Sequence, residues 1–126
     1  MRKLTLRIVK ALGYAIEGLI AALKIDLHFR INFFLWLFLA FLSLYLLKEN
    51  KLLIFTINYF VIIVELINTS IEKAVDTATK EWKLTAKYAK DIACTATLFA
   101  GGFAGIVDII FLFPELIKIF KHLISP

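Results

Sequence analysis

Residues 52–78 read LLIFTINYFVIIVELINTSIEKAVDTA, and this stretch decides the fold. Leu52 to Val64 is almost wholly apolar; charge enters at Glu65 and returns at Glu72, Lys73 and Asp76. Neither Gly nor Pro interrupts the run, so one helix over 52–78 is the simplest reading. Leu52 to Ile67 rises roughly 24 Å along such a helix, against a membrane hydrocarbon core about 30 Å thick. Glu65 therefore falls near the far edge of the core, and Asp76 about 16 Å further along the axis, in water.

The flanking sequence repeats the apolar theme. Residues 31–47 form a second run interrupted by Asn32 and Ser43, at the lower length limit for a transmembrane helix. Lys48-Glu49-Asn50-Lys51 is a short polar turn, which makes the next helix an antiparallel neighbour. A basic connection over 79–90 leads to a third run, 91–113, expected to stop at Pro114. This run is rich in small residues, and Gly101-x-x-x-Gly105 suits close helix contact in lipid. Residues 4–24 carry an apolar stripe (Ile8, Leu12, Ala15, Leu19, Ala22, Leu23) opposite Lys3, Lys10, Glu17 and Lys24. That pattern suits an amphipathic helix lying in the membrane interface.

The expected fold is thus an all-α integral membrane protein: three transmembrane helices and an N-terminal amphipathic surface helix, one domain over residues 1–126. Composition agrees. Hydrophobic residues make up 61% of the chain and the mean hydropathy is +0.85, well above ordinary soluble domains. Lys and Arg outnumber Asp and Glu by 15 to 10. In a chain this apolar, that excess points to anionic headgroups rather than nucleic acid, for which no motif is present. The single cysteine, Cys94, has no intramolecular disulfide partner, and its small neighbours suggest a packing role. No cleavable signal peptide is evident in the first 24 residues, so the spans themselves direct insertion. Basic residues cluster in residues 1–30 and 73–90, which predicts a cytoplasmic N-terminus and second loop, with the C-terminus outside.

Glu65, Asn68, Glu72 and Asp76 follow at intervals of 3, 4 and 4 and so share one helix face. An acidic residue inside a membrane is costly and is a functional candidate by default. Stacked carboxylates repel, and a divalent cation such as Mg2+ would relieve them. The bland alternative is a solvated face where the helix leaves the membrane; it suits Asp76 far better than Glu65. A carboxylate at this boundary reaches a lipid hydroxyl from one side and a water-soluble phosphate donor from the other. Lys90 and Asp91, at the mouth of the third span, add a cation and another polar contact. No Walker-type loop and no protein-kinase motif occurs.

The run Glu65-Leu-Ile-Asn68-Thr-Ser-Ile-Glu72-Lys-Ala-Val-Asp76 resembles the signature of the prokaryotic diacylglycerol kinase family, which includes undecaprenol kinases. Ala86-Lys-Tyr-Ala-Lys90-Asp91, Gly13-Tyr14, Gly18-Leu19 and Phe29-Arg30 match as well, so the resemblance covers about residues 7–113. It implies a homotrimer with active sites shared between subunits, in a bacterial cytoplasmic membrane. It implies ATP- and Mg2+-dependent phosphorylation of a lipid alcohol: diacylglycerol giving phosphatidic acid, or undecaprenol giving undecaprenyl phosphate. By that resemblance Glu65 is the catalytic base and Asn68 a polar organiser; Glu72 binds metal; Lys90, Asp91 and Arg7 contact the nucleotide. Asp26 stands where the family usually has a second metal-ligating Glu, and Glu81-Trp82-Lys83 replaces the family's Glu-Tyr-His. Gly13-Tyr14 and Val64-Glu65 favour the diacylglycerol branch, whereas Asn68-Thr69, Ile71-Glu72-Lys73 and Phe29-Arg30-Ile31 favour the undecaprenol branch; diacylglycerol is placed first. A proton or cation carrier and a non-catalytic trimeric scaffold are the remaining readings. The carrier needs polar groups through the membrane depth, and apart from Asp108 they cluster at one edge. Asp108 reads as an outer-interface or interhelical residue, and His28 as an interfacial one.

Overall fold

The computed structural model describes residues 2–124. Met1, Ser125 and Pro126, at the ends of the expected 1–126 domain, and the side chains of Arg2 and Lys3 lie outside the described residues. Four helices follow in order: α1 (Arg2–Ile25), α2 (Leu27–Leu46), α3 (Lys51–Ala78) and α4 (Leu84–Ile124). Helices α2, α3 and α4 are each long and apolar enough to cross a membrane; α1 is not among them.

Asp26 is the whole connection between α1 and α2. Its backbone is extended and its side chain caps α2, accepting a hydrogen bond from the Phe29 N–H at 2.9 Å. This cap starts α2 at Leu27, four residues before the apolar run at 31. The turn to α3 is closed by Asn50 in the left-handed conformation (φ 56°), which Asn tolerates better than most residues. Ser43 Oγ donates to the Ala40 carbonyl within α2 at 2.7 Å and lies 3.4 Å from the Lys51 carbonyl across the turn.

Helix α4 runs past the expected 91–113 span at both ends. Residues 84–90 are good helix formers and join α4, so the non-helical connection shrinks to 79–83. Pro114 sits inside α4 and does not end it. Proline removes one N–H and its bond to the residue four back. Apolar helix formers continue on its far side, and membrane-type helices tolerate that local loss. The result is a helix of 41 residues, about 60 Å long, twice the hydrocarbon thickness.

Helix α3 is the centre of the bundle. It packs along both α2 and α4, while those two touch each other only locally. In its most apolar window 39% of residues are buried, against 17% in α2 and in α4, so the outer helices leave most of their surface uncovered. One close approach of α4 to α2 is at Gly101, where an added Cβ would lie 3.3 Å from Trp36 Cζ2. Gly105, its partner in the small-residue spacing, has nothing within 4 Å in this chain. Leu47, Ile54 and Leu112 form the packed cluster at the end near the α2–α3 turn. Helix α1 buries Ala22 near its C-terminus and leaves Ile8 and Leu12 more than half exposed. Its apolar stripe is therefore largely open.

Candidate active site

Antiparallel packing fixes which residues meet. Asn58 pairs with Asp108 and Asp76 with Lys90, so eighteen residues up α3 match eighteen residues down α4. Seven residues beyond Asn58 along the same face of α3, Asn32 of α2 reaches Glu65. The polar face of α3 therefore looks onto the start of α2 and the first half of α4.

There it opens a cleft of about 270 Å³. Glu65, Asn68 and Glu72 of α3 line it together with Asp26, His28 and Asn32 from the start of α2. Glu65 is only 8% exposed. Asn32 Nδ2 donates to its Oε1 at 2.7 Å, the shortest polar contact in the cleft. Asn68 Nδ2 donates to Glu72 Oε1 at 3.2 Å, and Asn68 Oδ1 is buried with no partner. Thr69 Oγ1 donates to Asp26 Oδ2 at 3.4 Å, which ties the α2 start to α3. Three carboxylates thus line one cleft, and no Lys or Arg is among its lining residues.

The donors are oxygen-rich, which suits a hard divalent cation. Among the described residues, no three of His, Cys, Asp and Glu come together as a metal-binding group. A site with one or two carboxylates that relies on substrate phosphates for its other oxygens fits this donor set. The orphaned Asn68 Oδ1 beside Glu72 provides one further oxygen.

The other sequence-predicted residues lie elsewhere. Lys90 Nζ is 2.5 Å from Asp76 Oδ1, past the apolar part of both helices. Its ammonium hydrogen-bonds the Asp76 carboxyl and holds it below the usual carboxylate range, and the same bond raises Lys90. The two line a second cleft of about 460 Å³ with Lys80, Lys83, Lys87 and the exposed Trp82. Asp91 pairs with Lys87 one turn away at 2.7 Å and lines neither cleft. Arg7 is exposed on α1 and lines neither. Within one chain, then, Glu65, Asn68, Glu72 and Asp26 converge; Arg7, Lys90 and Asp91 do not join them.

Three residues in the cleft had weaker sequence signals. Asn32 was visible only as a lone polar residue in an apolar run, and its partner lies 33 residues away. His28 lines the cleft rather than merely facing an interface. Cys94, expected to pack among small residues, is exposed in this chain and also lines it. A third, apolar cleft of about 420 Å³ lies between α1 and α3, lined by Gly18, Leu19, Ala22, Ile25 and Leu66. Thr69 borders both this cleft and the carboxylate cleft.

Fold and cleft define a class: an all-helical protein with three membrane-length helices, whose central helix carries a buried carboxylate, Glu65, where its apolar run ends. Comparison with known proteins narrows it. The family model described as "Prokaryotic diacylglycerol kinase" matches residues 13–112. The chain is 43% identical over 95 residues to a diacylglycerol kinase of Helicobacter pylori strain J99, covering 73% of each. It is 44% identical over 95 residues to the diacylglycerol kinase of strain 26695, again covering 73% of each. The chain belongs to the prokaryotic diacylglycerol kinase family.

Proposed function

We propose that this protein is a membrane lipid kinase that transfers the γ-phosphoryl group of ATP to the hydroxyl of diacylglycerol, giving phosphatidic acid. The observation that carries the reading is Glu65: buried, held at one oxygen by Asn32, and set where the apolar run of α3 ends. A base there meets a lipid hydroxyl at the depth where a headgroup sits. The apolar cleft beside Thr69 offers room for lipid chains next to that hydroxyl. The lysine-lined cleft offers charge for phosphates. Both relatives named above are called diacylglycerol kinases, which favours that substrate over undecaprenol.

In this mechanism Glu65 accepts the hydroxyl proton as the lipid oxygen attacks the γ-phosphorus. The new O–P bond forms as the bond to the β,γ-bridging oxygen breaks, and ADP leaves. Asn32 keeps the Glu65 carboxylate aimed. Asn68 orients Glu72 through Nδ2 and offers Oδ1 to the reacting groups. Glu72 and Asp26 would hold Mg2+, whose role is to neutralise phosphate charge. Asp26 keeps Oδ1 on the helix cap and has Oδ2, in its long contact with Thr69, for that purpose. Lys90, Asp91 and Arg7 serve the nucleotide.

Because those three stand apart from Glu65 in one chain, the site is completed by a neighbouring subunit of a homotrimer. The uncovered apolar surface of α2 and α4 supports such packing. The N-terminus and the 79–83 connection face the cytoplasm, where ATP is, and α1 lies on that membrane surface. The protein resides in the bacterial inner membrane. The test is a side-by-side assay of purified protein with diacylglycerol and undecaprenol, using labelled ATP and Mg2+. Label in phosphatidic acid supports the reading. Label only in undecaprenyl phosphate, or in neither lipid, overturns it.

A further inference from the structure

Away from the cleft, one ionisable residue is buried with no role in the proposed chemistry. Asp108 of α4 is 8% exposed, and its partner Asn58 of α3 is fully buried. Asn58 lies seven residues from Glu65, about 10 Å along the axis toward the α2–α3 turn. It therefore sits well inside the apolar run.

The hydrogen bonds at this pair are incomplete in a specific way. Asn58 Nδ2 uses its two hydrogens on the Ile54 carbonyl, at 3.1 Å, and on Asp108 Oδ1, at 2.9 Å. That leaves Asn58 Oδ1 and Asp108 Oδ2 as buried acceptors without a donor. Buried polar groups in a membrane interior are nearly always satisfied. The four ion pairs among the described residues involve Glu81, Asp91, Asp76 and Glu115, so none supplies a cation to Asp108. One turn away on each helix, Ile54 and Leu112 belong to the packed apolar cluster.

A single hydrogen satisfies both orphan oxygens. On Asp108 Oδ2 it ceases to leave a bare acceptor and becomes a donor to Asn58 Oδ1. The amide and the acid then close a ring of two antiparallel hydrogen bonds. We infer that Asn58 and Asp108 form a cyclic amide–acid pair, with Asp108 a neutral carboxylic acid, that locks the register of α3 against α4. The lock matters for the site because α3 carries Glu65, Asn68 and Glu72 while α4 carries Lys90 and Asp91. Asn58, Glu65 and Glu72 recur every seven residues on one face of α3, so a slip at Asn58 displaces that face. Asp108 and Asn58 act here as positioning residues.

Infrared spectroscopy of the full-length protein in lipid bilayers at neutral pH tests this. The wild-type minus Asp108→Asn difference spectrum is expected to contain the carbonyl stretch of a protonated carboxyl. In Asn58→Leu that band is expected to move to higher frequency, because the acid has lost its amide partner. Asp108→Asn, which rebuilds the ring with two amides, is expected to keep wild-type resistance to denaturing detergent, and Asp108→Ala to lose it. A difference spectrum showing only ionised carboxylate would overturn the inference; it would mean that a bridging water serves both oxygens. So would a band that Asn58→Leu leaves in place, or Asp108→Asn as fragile as Asp108→Ala.

Discussion

Asn32 Nδ2 donates to Glu65 Oε1 at 2.7 Å, joining α2 to α3 at the point where the apolar run of α3 gives way to charge. The bond sets the position of the carboxylate without neutralising it. Hydrogen bonds to charged groups contribute about 1.5–3 kcal/mol. Asn32→Ala is therefore expected to lower kcat by about ten- to a hundredfold, with a smaller change in KM for lipid. Steady-state kinetics in mixed micelles reads the split.

Asp26 has two separable jobs. Its Oδ1 caps α2, and its Oδ2 faces Thr69 at the edge of the cleft. Asp26→Asn preserves the cap and removes the charge; it is expected to keep stability but raise the Mg2+ concentration for half-maximal activity. Asp26→Ala removes both, with an additional stability loss of about 0.5–2 kcal/mol. Mg2+ titration alongside denaturing-detergent titration separates the two.

Gly101 faces Trp36 closely enough that even a Cβ would sit at 3.3 Å. A larger side chain forces α4 away from α2. Gly101→Val is expected to destabilise the fold by about 1–3 kcal/mol, measured as the folded fraction remaining in denaturing detergent. Gly102, with open space around its Cβ position, is expected to tolerate the same change within this chain.

The Asp76–Lys90 pair ties α3 to α4 beyond the apolar run, and Lys90 holds the Asp76 carboxyl below its ordinary value. A carboxylate lowered in the folded state contributes stability above its unfolded value, lost as pH falls through the folded one. Lys90→Gln is therefore expected to move the Asp76 titration up toward the ordinary carboxylate range. Carbon-13 titration of labelled aspartate, assigned by Asp76→Asn, follows it.

The sequence made the spans legible because membrane helices announce themselves by length and hydropathy alone. The 52–78 helix begins one residue earlier, at Lys51, and ends at Ala78. Element ends governed by single residues were harder. Asp26 starts α2 through a cap that hydropathy does not register. Pro114 reads as a stop, but one missing N–H does not end a helix whose far side still suits it. For the cleft, the spacing on α3 brought Glu65, Asn68 and Glu72 together, since residues three and four apart share a helix face. The contributions of Asn32 and His28 depend on α2 packing antiparallel to α3 in one register, which no local pattern encodes.

The most direct test of the central claim is phosphoryl transfer by Glu65→Gln. The variant keeps the shape and the Asn32 contact oxygen but not the base. Purified wild-type and variant protein, matched for oligomeric state, are assayed with diacylglycerol, Mg2+ and γ-labelled ATP. The expected result is labelled phosphatidic acid from the wild type and a loss of about 10²- to 10⁴-fold in the variant. Wild-type turnover by Glu65→Gln would contradict the assignment of Glu65 as the base.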